Sequence, residues 1–260
     1  MNLEIQEPIP TPASSYSVPW RFIDNWIGVV LLAVIDSVIF IITLRGSKTD
    51  IAQSAAIALL ELSYLLPVIL IFAWRGVHWK RLGFGKFTWN TLGIGCGLLI
   101  ASYIVIILHN LVLWALRVNT QGEEIFKFFS ELDSPLWFFI VGVIFAPLVE
   151  EIFFRGFLFQ GFRQRYGWIS AMLLSSAIFA VAHLDPVALI PTFVLGNVLA
   201  YLYHRSNSIW PGAIIHFLVN AFGLFSAYFA TQFQDRIPLA VYMFCEQLNF
   251  LQNLLKFILS

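Results

Sequence analysis

Residues Leu136–Phe162 read LWFFIVGVIFAPLVEEIFFRGFLFQGF, and the fold follows from how this stretch can be housed. As a helix rising about 1.5 Å per residue, its 27 residues exceed the roughly 30 Å of a bilayer's hydrocarbon core. Yet it carries Glu150, Glu151 and Arg155. On insertion scales each such charge costs roughly 2.5 to 3.5 kcal/mol at mid-span, so the three need partners. Glu151 and Arg155 are four residues apart, share a helix face and can pair. Glu150 is turned about 100° from Glu151 and about 140° from Arg155, so it points elsewhere. Pro147 lacks an N–H and its ring clashes with the carbonyl of Val143, which is expected to be freed or bent away. Irregular backbone at membrane depth is tolerated where it is buried in protein or lines a watery cavity. The stretch therefore predicts a structural ion pair, a spare carboxylate and a polar intramembrane cavity.

The rest of the 260-residue chain agrees with a membrane setting. Apolar residues make up 59% and charged residues 12%, about half the usual charged share of soluble proteins. Further apolar runs are Trp26–Leu44, Ile51–Ala73, Thr91–Leu116, Trp168–His183, Val187–Tyr203 and Ile209–Ala230. Ile237–Leu259 is weaker, being interrupted by Glu246, Gln247, Asn249, Gln252 and Asn253. It reads as an eighth span or an interfacial helix. The fold class is all-α, a polytopic transmembrane bundle of seven or eight spans around a polar cavity. Residues 1–20, with four prolines and no basic start before an apolar core, read as a flexible tail and not a cleaved signal. Residues 21–260 read as one transmembrane domain whose polar core lies at about 136–225.

Loop charges set the orientation. Arg21, Arg75, Lys80, Arg81, Lys86, Arg163, Arg165 and Arg205 fall on one side, against Arg45, Lys48, Arg117, Lys127 and Arg236 on the other. The excess of positive charge places the N-terminus in the cytoplasm, in a plasma (inner) membrane. In Val118–Ser134, Ile125, Phe128, Phe129 and Leu132 recur at helical spacing and predict a short interfacial helix. Trp20, Trp26, Trp74 and Trp79 near span ends read as interface anchors. Gly93 and Gly97 form a GxxxG that reads as close helix packing. Net charge is zero, which gives no sign of nucleic acid as a partner. Cys96 and Cys245 offer neither a disulfide framework nor a cysteine zinc pattern.

Two more spans carry polar groups at matching spacing. Phe179 and His183 share one helix face, as do His216 and Asn220 on another. A lone intramembrane histidine is often a hydrogen-bonded core residue. Two histidines, an asparagine and an unpaired glutamate in nearby spans suit hydrolysis of an amide. Glu150 is the candidate base, and His183 can help hold the same water. His216 and Asn220 can donate to an oxyanion. The same Glu150, His183 and His216 could instead bind zinc, although no HExxH is present. Asp36 and Glu61, mid-span in the first two runs, either line the cavity, pair with a positively charged group, or are neutral carboxyls hydrogen-bonded between helices. His109 has no partner at obvious spacing.

Three motifs now stand in order: EExxxR at Glu150–Arg155, FxxxH at Phe179–His183 and HxxxN at His216–Asn220. This pattern resembles the CPBP family of intramembrane endopeptidases, which includes the type II CAAX prenyl proteases and the bacteriocin-processing and immunity proteins of the Abi group. Leu82-Gly83-Phe84-Gly85 and Trp210-Pro211-Gly212 are similar to that family too. The resemblance implies that Glu150 and His183 activate water, that His216 and Asn220 stabilise the oxyanion, and that Glu151 and Arg155 shape the site. It implies a peptide or lipidated protein substrate met within membrane lipid, with either a metal-dependent or a metal-free, glutamate-type mechanism. Two other functions fit the same residues. One is a non-catalytic immunity or scaffold protein. The other is a transporter or proton relay, against which stands the lack of a visible inverted repeat.

Overall fold

The computed structural model describes residues 17–43, 50–116, 118 and 135–232, and among them there are helices and turns but no strands. The helices are α1 (Phe22–Thr43), α2 (Asp50–Ser63), α3 (Leu65–Arg75), α4 (Trp89–Ala115), α5 (Leu136–Ala182), α6 (Leu189–Ser206) and α7 (Trp210–Gln232), with a 3₁₀ turn at Trp79–Leu82. Five helical stretches among the described residues are long and apolar enough to cross a membrane: Phe22–Thr43, Ala55–Arg75, Trp89–Leu113, Leu136–Ala182 and Trp210–Phe229. The protein is a multi-pass, all-helical membrane protein. Five stretches are fewer than the seven or eight expected, and particular residues explain the difference.

Two expected spans, Leu136–Phe162 and Trp168–His183, form the single 47-residue run α5. Gly167 breaks the run with a non-helical φ of 78° and ψ of 172°. Val187–Tyr203 forms α6, but Asn197, His204 and Arg205 make it less apolar than the others. Ile51–Ala73 forms one stretch bent at Tyr64 between α2 and α3. Pro67 causes the bend, because it cannot donate to the carbonyl of Ser63 and its ring crowds that carbonyl. The expected helices within Val118–Ser134 and Ile237–Leu259 lie outside the described residues, as do residues 1–16 of the tail.

The core gathers around 152–159, every residue of which is buried. Phe153, Phe154, Phe157 and Phe159 meet Tyr64, Val68, Ile71 and Phe72 from the bent second stretch, together with Phe179 and Tyr203. Trp20 belongs to this core at 2% exposure and is not an interface anchor. Its indole Nε1 donates to Asn25 Oδ1 at 3.0 Å, and Asn25 in turn donates to the Leu158 carbonyl. A buried indole needs such a partner, and here it pins the start of α1 to α5. Trp26, Trp74 and Trp79 are partly exposed at helix ends, as anchors should be. The GxxxG reading also needs correcting. A Cβ on Gly93 or Gly97 would meet nothing, whereas one on Gly95 would lie 2.9 Å from Leu202 and 3.1 Å from Ile215. Two residues along a helix turn the side chain by about 200°, so Gly95 occupies the opposite face and packs on α6 and α7.

Candidate active site

α5 positions the acidic pair through two π-helical turns, at Ile140–Phe145 and Ile152–Phe159. In the first turn the Ala146 N–H reaches back five residues to the Val141 carbonyl. The next donor in that register would be residue 147, bonding the Gly142 carbonyl, but Pro147 has no N–H. The orphaned carbonyl is therefore that of Gly142, and it is met from α7: Asn220 Nδ2 donates to it at 2.9 Å. The expectation of a freed Val143 carbonyl assumed an α register, and the π-turn moves the consequence one residue back.

Glu151 and Arg155 pair as their spacing predicts, at 2.8 Å, with both side chains almost wholly buried. Arg155 also donates to the Gly196 carbonyl on α6 at 3.2 Å and lies over the Phe179 ring, 4.4 Å from its centroid. The ion pair is thus tied to two other helical segments. Gly212 at the start of α7 makes room for it, because a Cβ there would run into Glu151 Oε2.

Glu150 points away from the pair, into a cavity of about 350 Å³ whose polar lining includes Glu61, Glu150, His183, His216 and Asn220. The remaining wall is mainly apolar, with Ile57, Leu99, Ile106, Leu195 and Leu224 among its residues. His216 stands between the two glutamates. Its Nε2 is 3.7 Å from Glu150 Oε2 and its Nδ1 is 3.8 Å from Glu151 Oε1, both longer than a direct hydrogen bond. His183 Nδ1 lies 2.8 Å from the Phe179 carbonyl. A carbonyl only accepts, so Nδ1 carries the proton and the neutral ring keeps its lone pair on Nε2. Phe179 is the hub of the arrangement, with its ring edge-to-face to both His183 and His216, at 4.7 and 5.7 Å.

Two residues play parts that spacing alone did not reveal. Phe179 marks a motif in the sequence, but its contacts with both histidines and Arg155 exist only in the fold. Glu61 comes from α2 and lines the same cavity as Glu150. Its mid-span position was the signal available in the sequence. Asp36 faces elsewhere and accepts from Ser63 Oγ at 2.5 Å, the inter-helix carboxyl bond given as one of its readings. Among the described residues no three His, Cys, Asp or Glu side chains are gathered to hold a metal ion. Glu150, His183 and His216 are accordingly not gathered as a set of zinc ligands.

Residues 132–222 match the family described as type II CAAX prenyl endopeptidase Rce1-like. Among curated proteins, the chain is 27% identical over 126 residues to the YdiL protein of Bacillus subtilis, whose name makes it a candidate membrane peptidase. That match covers 48% of this chain and about half, 52%, of the relative. The YxdF protein of Lactococcus lactis is 29% identical over 170 residues, 61% of this chain and 90% of that protein. The membrane-embedded CAAX protease MroQ of Staphylococcus aureus is 28% identical over 172 residues, 64% of this chain and 65% of that protein. No solved structure matches this chain.

Proposed function

We propose, from the premise that residues 132–222 are an Rce1-like type II CAAX prenyl endopeptidase segment, that this chain is an intramembrane endopeptidase cleaving a lipidated or membrane-associated substrate near its C-terminus. The observation that carries the reading is the convergence of Glu150, His183, His216 and Asn220 on one cavity whose remaining wall is mainly apolar. Apolar lining suits a chain or lipid drawn from the bilayer, and the polar end suits hydrolysis.

Glu150 is the base and His183 Nε2 helps hold the attacking water. The water oxygen bonds the scissile carbonyl carbon as its proton passes to Glu150. His216 and the second N–H of the Asn220 amide donate to the resulting oxyanion. The first N–H stays on Gly142, which fixes the amide's direction beforehand. The C–N bond then breaks, and the proton held by Glu150 goes to the leaving amine. Glu151 and Arg155 keep His216 and Phe179 in place without touching the substrate. The enzyme sits in the cytoplasmic membrane with its N-terminus inside.

The test is cleavage of quenched peptides carrying a farnesylated C-terminal cysteine by purified protein in detergent, with and without a chelator. The parent cleaves and Glu150→Ala loses at least about a hundredfold in rate while remaining folded. Equal cleavage by that variant overturns the assignment, and loss of parent activity on chelation overturns the metal-free mechanism.

A further inference from the structure

The carboxyl of Glu61 reaches the candidate base from α2, some 70 residues before the segment that matches the peptidase family. It lies on the wall of the cavity beside Glu150. Two carboxyls can hydrogen-bond only when one of them supplies the proton, and a proton shared between Glu61 and Glu150 would give both a partner. Among the described residues, the buried Glu61 Oε2 and Glu150 Oε2 both lack a hydrogen-bond partner. The nearest imidazole nitrogen is 3.7 Å away, too far to fix the carboxylate's rotation.

Glu61 is itself held. It sits in the last turn of α2, two residues before Ser63, and Ser63 is bonded to Asp36 on α1 and to the Leu60 carbonyl at 2.5 Å. α2 packs on the 146–151 stretch of α5, and α3 packs on 152–159. The end of α2 that carries Glu61 is thus tied to α1 through Ser63 and Asp36.

We propose that Glu61 is a positioning residue, whose hydrogen bond fixes the Glu150 carboxylate in the orientation that serves the attacking water. The proposal rests on the endopeptidase reading, and it extends the site to a helix outside the matched segment. A donor is what the position requires, so an amide can replace the acid. An apolar residue of similar size cannot.

The experiment compares the full-length parent with Glu61→Gln and Glu61→Leu on the farnesylated quenched peptides. Glu61→Leu lowers kcat by about tenfold to a hundredfold with KM nearly unchanged, the effect of a misdirected group and not of lost binding. Glu61→Gln restores most of that loss. Parent-like kcat in Glu61→Leu, or Glu61→Gln as slow as Glu61→Leu, overturns the proposal. A second measurement does not need cleavage: the melting temperature in detergent of Glu61→Leu made in the parent and in Glu150→Ala. The Glu61→Leu shift is larger in the parent background, because only there does it break a bond. Equal shifts in both backgrounds overturn the proposal even if no peptide is cleaved, whereas an inert parent with unequal shifts overturns only the endopeptidase reading.

Discussion

Helix α4 and the middle of α5 are similarly apolar in sequence and opposite in environment. Their most apolar windows have mean hydropathies of 2.3 and 2.0, but 11% of the first is buried against 44% of the second. Ile100, Ile104 and Val112 of α4 face outward, whereas 152–159 of α5 has no exposed residue. In a bilayer, apolar residues do not tell inside from outside, because the lipid tails are as apolar as leucine. Ions and small residues do tell. Glu150, Glu151 and Arg155 mark α5 as central, and Gly95 marks the one face of α4 that packs on the bundle.

That contrast can be broken or sharpened by substitution. The largest effect is expected at Arg155→Met, which leaves Glu151 buried without its counter-ion. The loss should be about 3–5 kcal/mol, read as a fall in melting temperature in detergent. A parent-like melting temperature would mean that α5 is not organised by its ion pair. Next comes Gly212→Ala, whose methyl group displaces the Glu151 carboxylate at a cost of about 1–3 kcal/mol; unchanged stability would place α7 farther from α5 than described here. Asn220→Ala returns the Gly142 carbonyl to an unpartnered state. Inter-helix hydrogen bonds in membrane proteins average about 0.6 kcal/mol, so a small stability loss should accompany a much larger loss of peptide cleavage. The smallest effect belongs to α4: Ile100→Ala should stay within about 0.5 kcal/mol of the parent, and a larger loss would show that this face is covered.

The ion pair was legible in the sequence because Glu151 and Arg155 are close along one helix, where spacing fixes geometry. The turn of Glu150 away from that pair was legible for the same reason. Counting the spans was harder. Gly167 joins two apolar runs at a kink, and Pro67 bends one run into two helices, so apolar length and helix number part company. The partner of Asn220 was not legible either, since it depends on a π-turn that shifts the orphaned carbonyl from Val143 to Gly142.

By itself, the sequence determined that this chain is a helical membrane protein, that its charges at 150–155 need burial among partners, and that three motifs set polar groups at helical spacing within apolar runs. These are consequences of composition and of local helical periodicity, both of which act within a single span. Only the tertiary structure decided which side chains meet across spans. It put Phe179 between two histidines, Gly212 against Glu151, and Glu61 from the N-terminal half into the cavity that Glu150 lines. Such contacts depend on bends, on register and on the close approach of backbones, for which apolar sequence carries little signal when the surrounding solvent is itself apolar.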